Sequence, residues 1–145
     1  IHFTGNLGLI AYLKYILGIE FAHNTWLIIL TSLIGTISGI ALGAFLSTII
    51  KGTFDKKSGI ITTISLLLSF LSGLMVVDVK YLVQKNAPIL GLINPTNLLT
   101  ECFYSLYYYN DIGKYFYNLG ILALISLILI FSTYLKMRGN KYDSI

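Results

Sequence analysis

The chain has 145 residues, 56% hydrophobic and 11% charged, with a formal net charge of +4 and a mean hydropathy of +0.80. Soluble domains carry about 25% charged residues, so an ordinary water-soluble globule is excluded in favour of a polytopic membrane protein. The lysines sit at the ends of apolar stretches, where they meet lipid headgroups and do not form a nucleic-acid patch, and Cys102 is alone, which excludes an internal disulfide or a cysteine metal site.

Residues 1–19 are apolar but short, with Lys14 inside. They read as the last turns of a membrane helix that begins upstream, and the chain as the C-terminal part of a longer protein. Residues 26–50 follow without a charge and are long enough to cross a bilayer as a helix. Gly35, Gly39, Gly43 and Ser47 recur every four residues there and predict a strip of small side chains for helix packing.

The next segment, Lys51 to Ser58, holds Lys51, Lys56 and Lys57. A second uncharged stretch, 59–77, predicts another span, with Ser65, Ser69 and Gly73 as a second packing strip. Ser32, Thr36, Ser38, Thr62, Thr63 and Ser72 either line a polar path or bond back to their own helix carbonyls.

Residues 78–118 are more than a loop. An apolar run over 87–93 is followed by Asn94-Pro95-Thr96-Asn97 and a helical pattern over 98–109. Proline in a first helical turn loses no hydrogen bond, and Asn or Thr beside it caps free amides. The pattern predicts a re-entrant helical hairpin over about 79–110, shaped by Pro88, Asn94 and Pro95. Glu101 lies within it, and an acid at membrane depth is costly enough to be a candidate functional residue. Tyr104, Tyr107, Tyr108, Tyr109, Tyr115 and Tyr117 crowd its end, as an aromatic belt at the headgroups or as an aromatic vestibule. The last uncharged stretch, 119–135, predicts a span over about 117–136 and leads to a tail with Lys136, Arg138 and Lys141.

The dense lysines of the 51–58 loop and the basic tail put both on the cytoplasmic side. The turn over 20–25 and the hairpin segment then face outward. No phosphate-binding G-x-x-x-x-G-K-[ST] loop occurs, no catalytic constellation lies in the spans, and His2 and His23 are isolated. The expectation is an all-α transmembrane bundle in a single domain, 1–145, that is not itself an enzyme and holds no cofactor or metal.

The order of features resembles the C-terminal half of the permease subunits of type 2 ATP-binding-cassette exporters. The resemblance rests on the small-residue span, the basic loop, the span ending Phe70-Leu71-Ser72-Gly73-Leu74-Met75, Pro88, then Ile93-Asn94-Pro95, a short helix, a last span and a basic tail. It covers nearly the whole chain. It implies a permease that dimerises, as homodimer or heterodimer, and works with a cytoplasmic ATPase subunit on which ATP and Mg bind. It implies that Lys51, Lys56 and Lys57 lie on the one inter-helix loop that faces that ATPase. A stand-alone small membrane protein, an immunity or channel-like factor without an ATPase, is the alternative.

Overall fold

A computed structural model describes residues 2–16, 25–109 and 111–140. His23, most of the expected turn over 20–25 and the tail from Lys141 lie outside the described residues. Within them the chain forms α1 (His2–Tyr15), α2 (Thr25–Ile49), α3 (Phe54–Leu71), α4 (Val77–Asn86), α5 (Pro88–Ile93), α6 (Pro95–Tyr107) and α7 (Ile112–Asn140), with no strand among the described residues. The expected all-α fold is what the structure shows.

Among the described residues two helices are long and apolar enough to cross a membrane, Thr25–Ile49 and Ile112–Arg138. At 1.5 Å per residue α2 is about 37 Å long, more than the ~30 Å hydrocarbon layer. The two run parallel. Near their starts Thr31 Oγ1 lies 3.0 Å from Tyr115 Oη, and further along both, Ile37, Ala41 and Ala44 share an apolar cavity with Ile130 and Thr133. The short α1 packs back along α2, with Lys14 Nζ donating to Thr25 Oγ1 and Asn6 Nδ2 to Thr36 Oγ1. Lys14 is therefore level with the start of α2.

The seam between α2 and α7 is built from Ile28, Thr31, Ser38 and Ala41 on one side and Tyr115, Leu119, Leu122, Ser126 and Thr133 on the other, all buried. Its steps are three and seven on α2 and four, three, four and seven on α7, the spacing that keeps one helix face on its neighbour. The expected strip of Gly35, Gly39, Gly43 and Ser47 is a different line. Steps of four advance 400°, so such a line drifts about 40° around the helix at each step. Only Gly35 is closely packed: a Cβ there would fall 2.8 Å from Leu99 Cδ1, whereas one at Gly39 or Gly43 would meet nothing within 4 Å.

The stretch expected to span 59–77 is not one helix. α3 begins at Phe54, taking in Asp55, Lys56 and Lys57, and ends at Leu71. Its end is a Schellman cap: Gly73 N donates to Phe70 O, Leu74 N donates to Ser69 O, and Gly73 has φ +78°. A Cβ on Gly73 would also fall 2.6 Å from Lys80 Cβ, so α4 packs where only glycine leaves room. Gly73 is thus a helix stop and not part of a packing strip. Ser65 and Ser69 remain on α3 and bond back to Ile61 O and Ser65 O. No residue of α3 is buried.

Candidate functional site

The chain between α3 and α7 makes a broken-helix hairpin whose parts are each positioned by an identifiable side chain. Pro88 opens α5 at a position that needs no amide hydrogen. Asn94 is the one-residue break. Its Oδ1 accepts from Thr96 N at 3.0 Å and caps α6, and Pro95 fills the first helical position. Its Nδ2 donates to Leu68 O at 2.8 Å and to Ser72 Oγ at 3.0 Å, which ties the break to the end of α3. Asn97 Nδ2 donates back to Gly91 O at 2.9 Å, which closes the two arms.

From this break α6 runs against α2 and α7. Leu99 meets Gly35, and Cys102, Leu106, Ile28, Tyr115 and Leu119 form one buried cluster. Level with Gly35 at its start and with Ile28 near its end, α6 runs antiparallel to both long helices. Leu106 and Cys102 face the core because α6 is amphipathic, with Leu98, Cys102, Ser105 and Leu106 on one buried face.

On a neighbouring face of α6 sits Glu101. Lys80 Nζ of α4 lies 2.5 Å from Oε1, and Lys114 Nζ of α7 lies 2.9 Å from Oε2. Gln84 Nε2 donates to Oε1 at 3.3 Å. The Glu101 and Lys80 side chains are 8% and 10% exposed, Lys114 43%. Burial alone pushes the carboxyl pKa up, but the hydrogen bonds and charges of Lys80 and Lys114 outweigh it and hold the group below its ordinary value. Two rings complete the cluster: Lys80 Nζ is 4.0 Å from the Tyr104 centroid and Lys114 Nζ 4.6 Å from that of Tyr109. The arrangement joins α4, α6 and α7 through one acid.

Cys102 beside it is fully buried, with Sγ 4.0 Å from Tyr115 O. Burial, aided by the Glu101 charge, pushes its thiol up to about 12, so it is chemically quiet. Tyr115, read from sequence as one of a crowd at the membrane surface, is 0% exposed and donates to Leu27 O at 3.0 Å. Tyr107, Tyr108, Tyr109 and Tyr117 are exposed.

At the other end of the bundle the loop after α2 turns at Gly52, φ +133°. Lys51 and Lys56 are exposed. Lys57 instead donates to Ser47 O at 3.0 Å, where its charge faces the carbonyl end of α2. The loop lysines thus divide into one helix cap, Lys57, and two exposed cations without a partner among the described residues. The arrangement contains no group of three or more metal-ligating side chains among the described residues.

The sequence singles out Asn94, Pro95 and Glu101 but not Lys80 and Gln84 of α4 or Lys114 of α7, which come to Glu101 from outside its own helix. The hydroxyls divide too: Thr36, Thr63 and Ser72 bond back to carbonyls one turn earlier, but the Ser38 hydroxyl, buried in the α2–α7 seam, has no partner among the described residues.

A family model described as "ABC-2 family transporter protein" matches residues 3–135, from α1 to the last turns of α7. No curated protein and no solved structure matches the chain.

Proposed function

Since the chain belongs to the ABC-2 family of transporter proteins, as a membrane component of transport, we propose that it is permease machinery of an ATP-driven exporter. It forms part of the solute path and takes its energy from a separate cytoplasmic ATPase subunit. ATP and Mg bind to that partner, and the permease pairs with a second permease copy or a related chain. The observation that carries this reading is the parallel run of α2 and α7. Their C-terminal ends and the start of α3 share one face, which bears Lys51, Lys56, Lys136 and Arg138. The broken-helix hairpin lies toward the opposite face. A basic face of this kind is retained in the cytoplasm, and it is the face an ATPase could reach. We read the protein as a multi-pass protein of the cell membrane with a cytoplasmic C-terminus.

Lys51 and Lys56, without a partner among the described residues, are the loop cations open to that ATPase. The test is purification of the full-length product with the proteins encoded beside it. A co-purifying ATPase whose turnover changes when the permease is present supports the reading. Transport or protection that persists with every candidate ATPase deleted overturns it and leaves a stand-alone membrane protein.

A further inference from the structure

Ser38 stands apart from the other buried serine and threonine hydroxyls of α2 and α7, which are Thr31, Ser126 and Thr133. Thr31, Thr36, Ser69, Ser72, Ser126 and Thr133 each donate to a carbonyl one turn back on their own helix at 2.7–2.9 Å. That is the usual way a hydroxyl is satisfied in an apolar setting. Ser38 is 2% exposed and its hydroxyl makes no bond among the described residues. An unpaired buried polar group is costly, and such a group marks a place where a missing partner binds.

Ser38 borders a cavity of about 110 Å³ shared by α2, α6 and α7. Gly35, Gly39, Pro95, Thr96 and Leu122 border it too. The space is large enough for several waters. Gly39 is exposed and opens the cavity sideways, since a Cβ there would meet nothing within 4 Å. Pro95 and Thr96 are the first turn of α6, a 13-residue helix whose N-terminus carries the positive end of its dipole. Thr96 gives its amide to Asn94 and its carbonyl to Thr100, which leaves its hydroxyl without a bond among the described residues. Among the described residues no acidic side chain borders the cavity. Ser38 lies 13 residues beyond the start of α2, about 20 Å along it.

We infer that Ser38, Thr96 and the N-terminus of α6 form a hydrated subsite at mid-span for an anionic oxygen, a carboxylate or phosphate-type group of a solute. Two hydroxyl donors and a helix N-terminus favour an acceptor with negative charge, and the absence of an acid leaves a cation unpaired there. A broken helix that turns its N-terminus inward at membrane depth is a general device for holding such groups. The inference rests on the exporter reading only for the statement that the group belongs to a transported solute.

The experiment uses the full-length protein in lipid nanodiscs with Ser38→Cys in a Cys102→Ser background. Two methanethiosulfonate reagents of similar size are compared, one bearing a sulfonate and one an ammonium, each normalised to its rate with free 2-mercaptoethanol. Labelling by the sulfonate reagent is expected to be about two- to fivefold faster than by the ammonium reagent, the scale of a helix-terminus effect on a full charge. Adding Thr96→Ala should reduce that preference. The inference is overturned if a membrane-permeant maleimide labels the site and neither hydrophilic reagent does, or if the ammonium reagent is as fast or faster. It is overturned for Thr96 if the preference survives Thr96→Ala. Leu42→Cys, on the wall of the same cavity, serves if Ser38→Cys does not fold. No ATPase takes part in this measurement. Its failure therefore leaves the exporter reading standing, and failure of the ATPase test leaves the subsite standing.

Discussion

Asn94 donates its side-chain amide to the Leu68 carbonyl at 2.8 Å, and this contact fixes the break between α5 and α6 against the last turn of α3. The same side chain also bonds Ser72 and caps Thr96, so all its near contacts are spent on holding one turn.

Asn94→Ala is therefore expected to lower stability by about 1–3 kcal/mol, the scale for losing a buried polar group together with a helix cap. Asn86→Ala is the control, because the exposed Asn86 side chain bonds Leu82 O of its own helix and no other partner among the described residues. Thermal unfolding in detergent separates them: equal melting temperatures for the two variants would mean that the break is not held by Asn94.

Glu101→Gln leaves Lys80 buried without its counter-charge and should cost about 3–5 kcal/mol. Lys114→Ala removes a lysine whose side chain is 43% exposed and should cost less than about 1 kcal/mol. The cluster also predicts a pH dependence. Glu101 titrates below its ordinary 4.5 in the folded chain, so the unfolded chain binds more protons near that value. The stabilisation is complete above about pH 4.5 and falls away as pH drops through the lower folded value. Glu101→Gln should flatten that acid limb of the melting curve, and an unchanged limb would remove Glu101 as its source.

Gly35 and Gly39 should respond differently to bulk. Gly35→Leu drives a side chain into Leu99 and should cost about 1–3 kcal/mol by overpacking. Gly39→Leu meets open space and should leave the melting temperature of the isolated chain nearly unchanged. A larger loss at Gly39 would show that another chain covers it in the membrane.

Orientation is checked with an impermeant thiol reagent on intact cells. The native Cys102 should stay unlabelled, since its thiol is buried with a pKa pushed up to about 12. In a Cys102→Ser background, Tyr108→Cys should label from outside and Ser58→Cys should not. The reverse pattern inverts the topology.

How much of this was legible in the sequence differs by element. The α2 and α7 spans could be read directly, because an uncharged stretch of that length has one stable form in lipid. The Asn94-Pro95 break could be read as well, because a cap and a proline act on neighbours one or two residues away. The end of α3 could not. Gly73 sits inside an apolar run, and only the approach of Lys80 from α4 shows why the helix must stop there. The partners of Glu101 were hidden for the same reason: Lys80 and Lys114 are 21 and 13 residues away in the chain, brought together by the hairpin. Tyr115 was misplaced because a tyrosine near a helix start fits a headgroup belt as well as a buried knot. The regular glycine spacing suggested the packing face more loudly than the three- and seven-residue steps of the seam that α2 in fact uses.

The cluster that holds α6 has a consequence for the order in which the chain can mature. Lys80 is made before Glu101, but Lys114, Tyr115 and Leu119 come after it, all on α7. Until that last helix has left the ribosome and inserted, the hairpin lacks Tyr115 and Leu119 of its buried cluster and one of its two counter-charges. α5 and α6 therefore reach their final position late, as a retrofit against an already inserted α2. A chain interrupted just before Ile112 would carry every residue of the hairpin and still be unable to seat it.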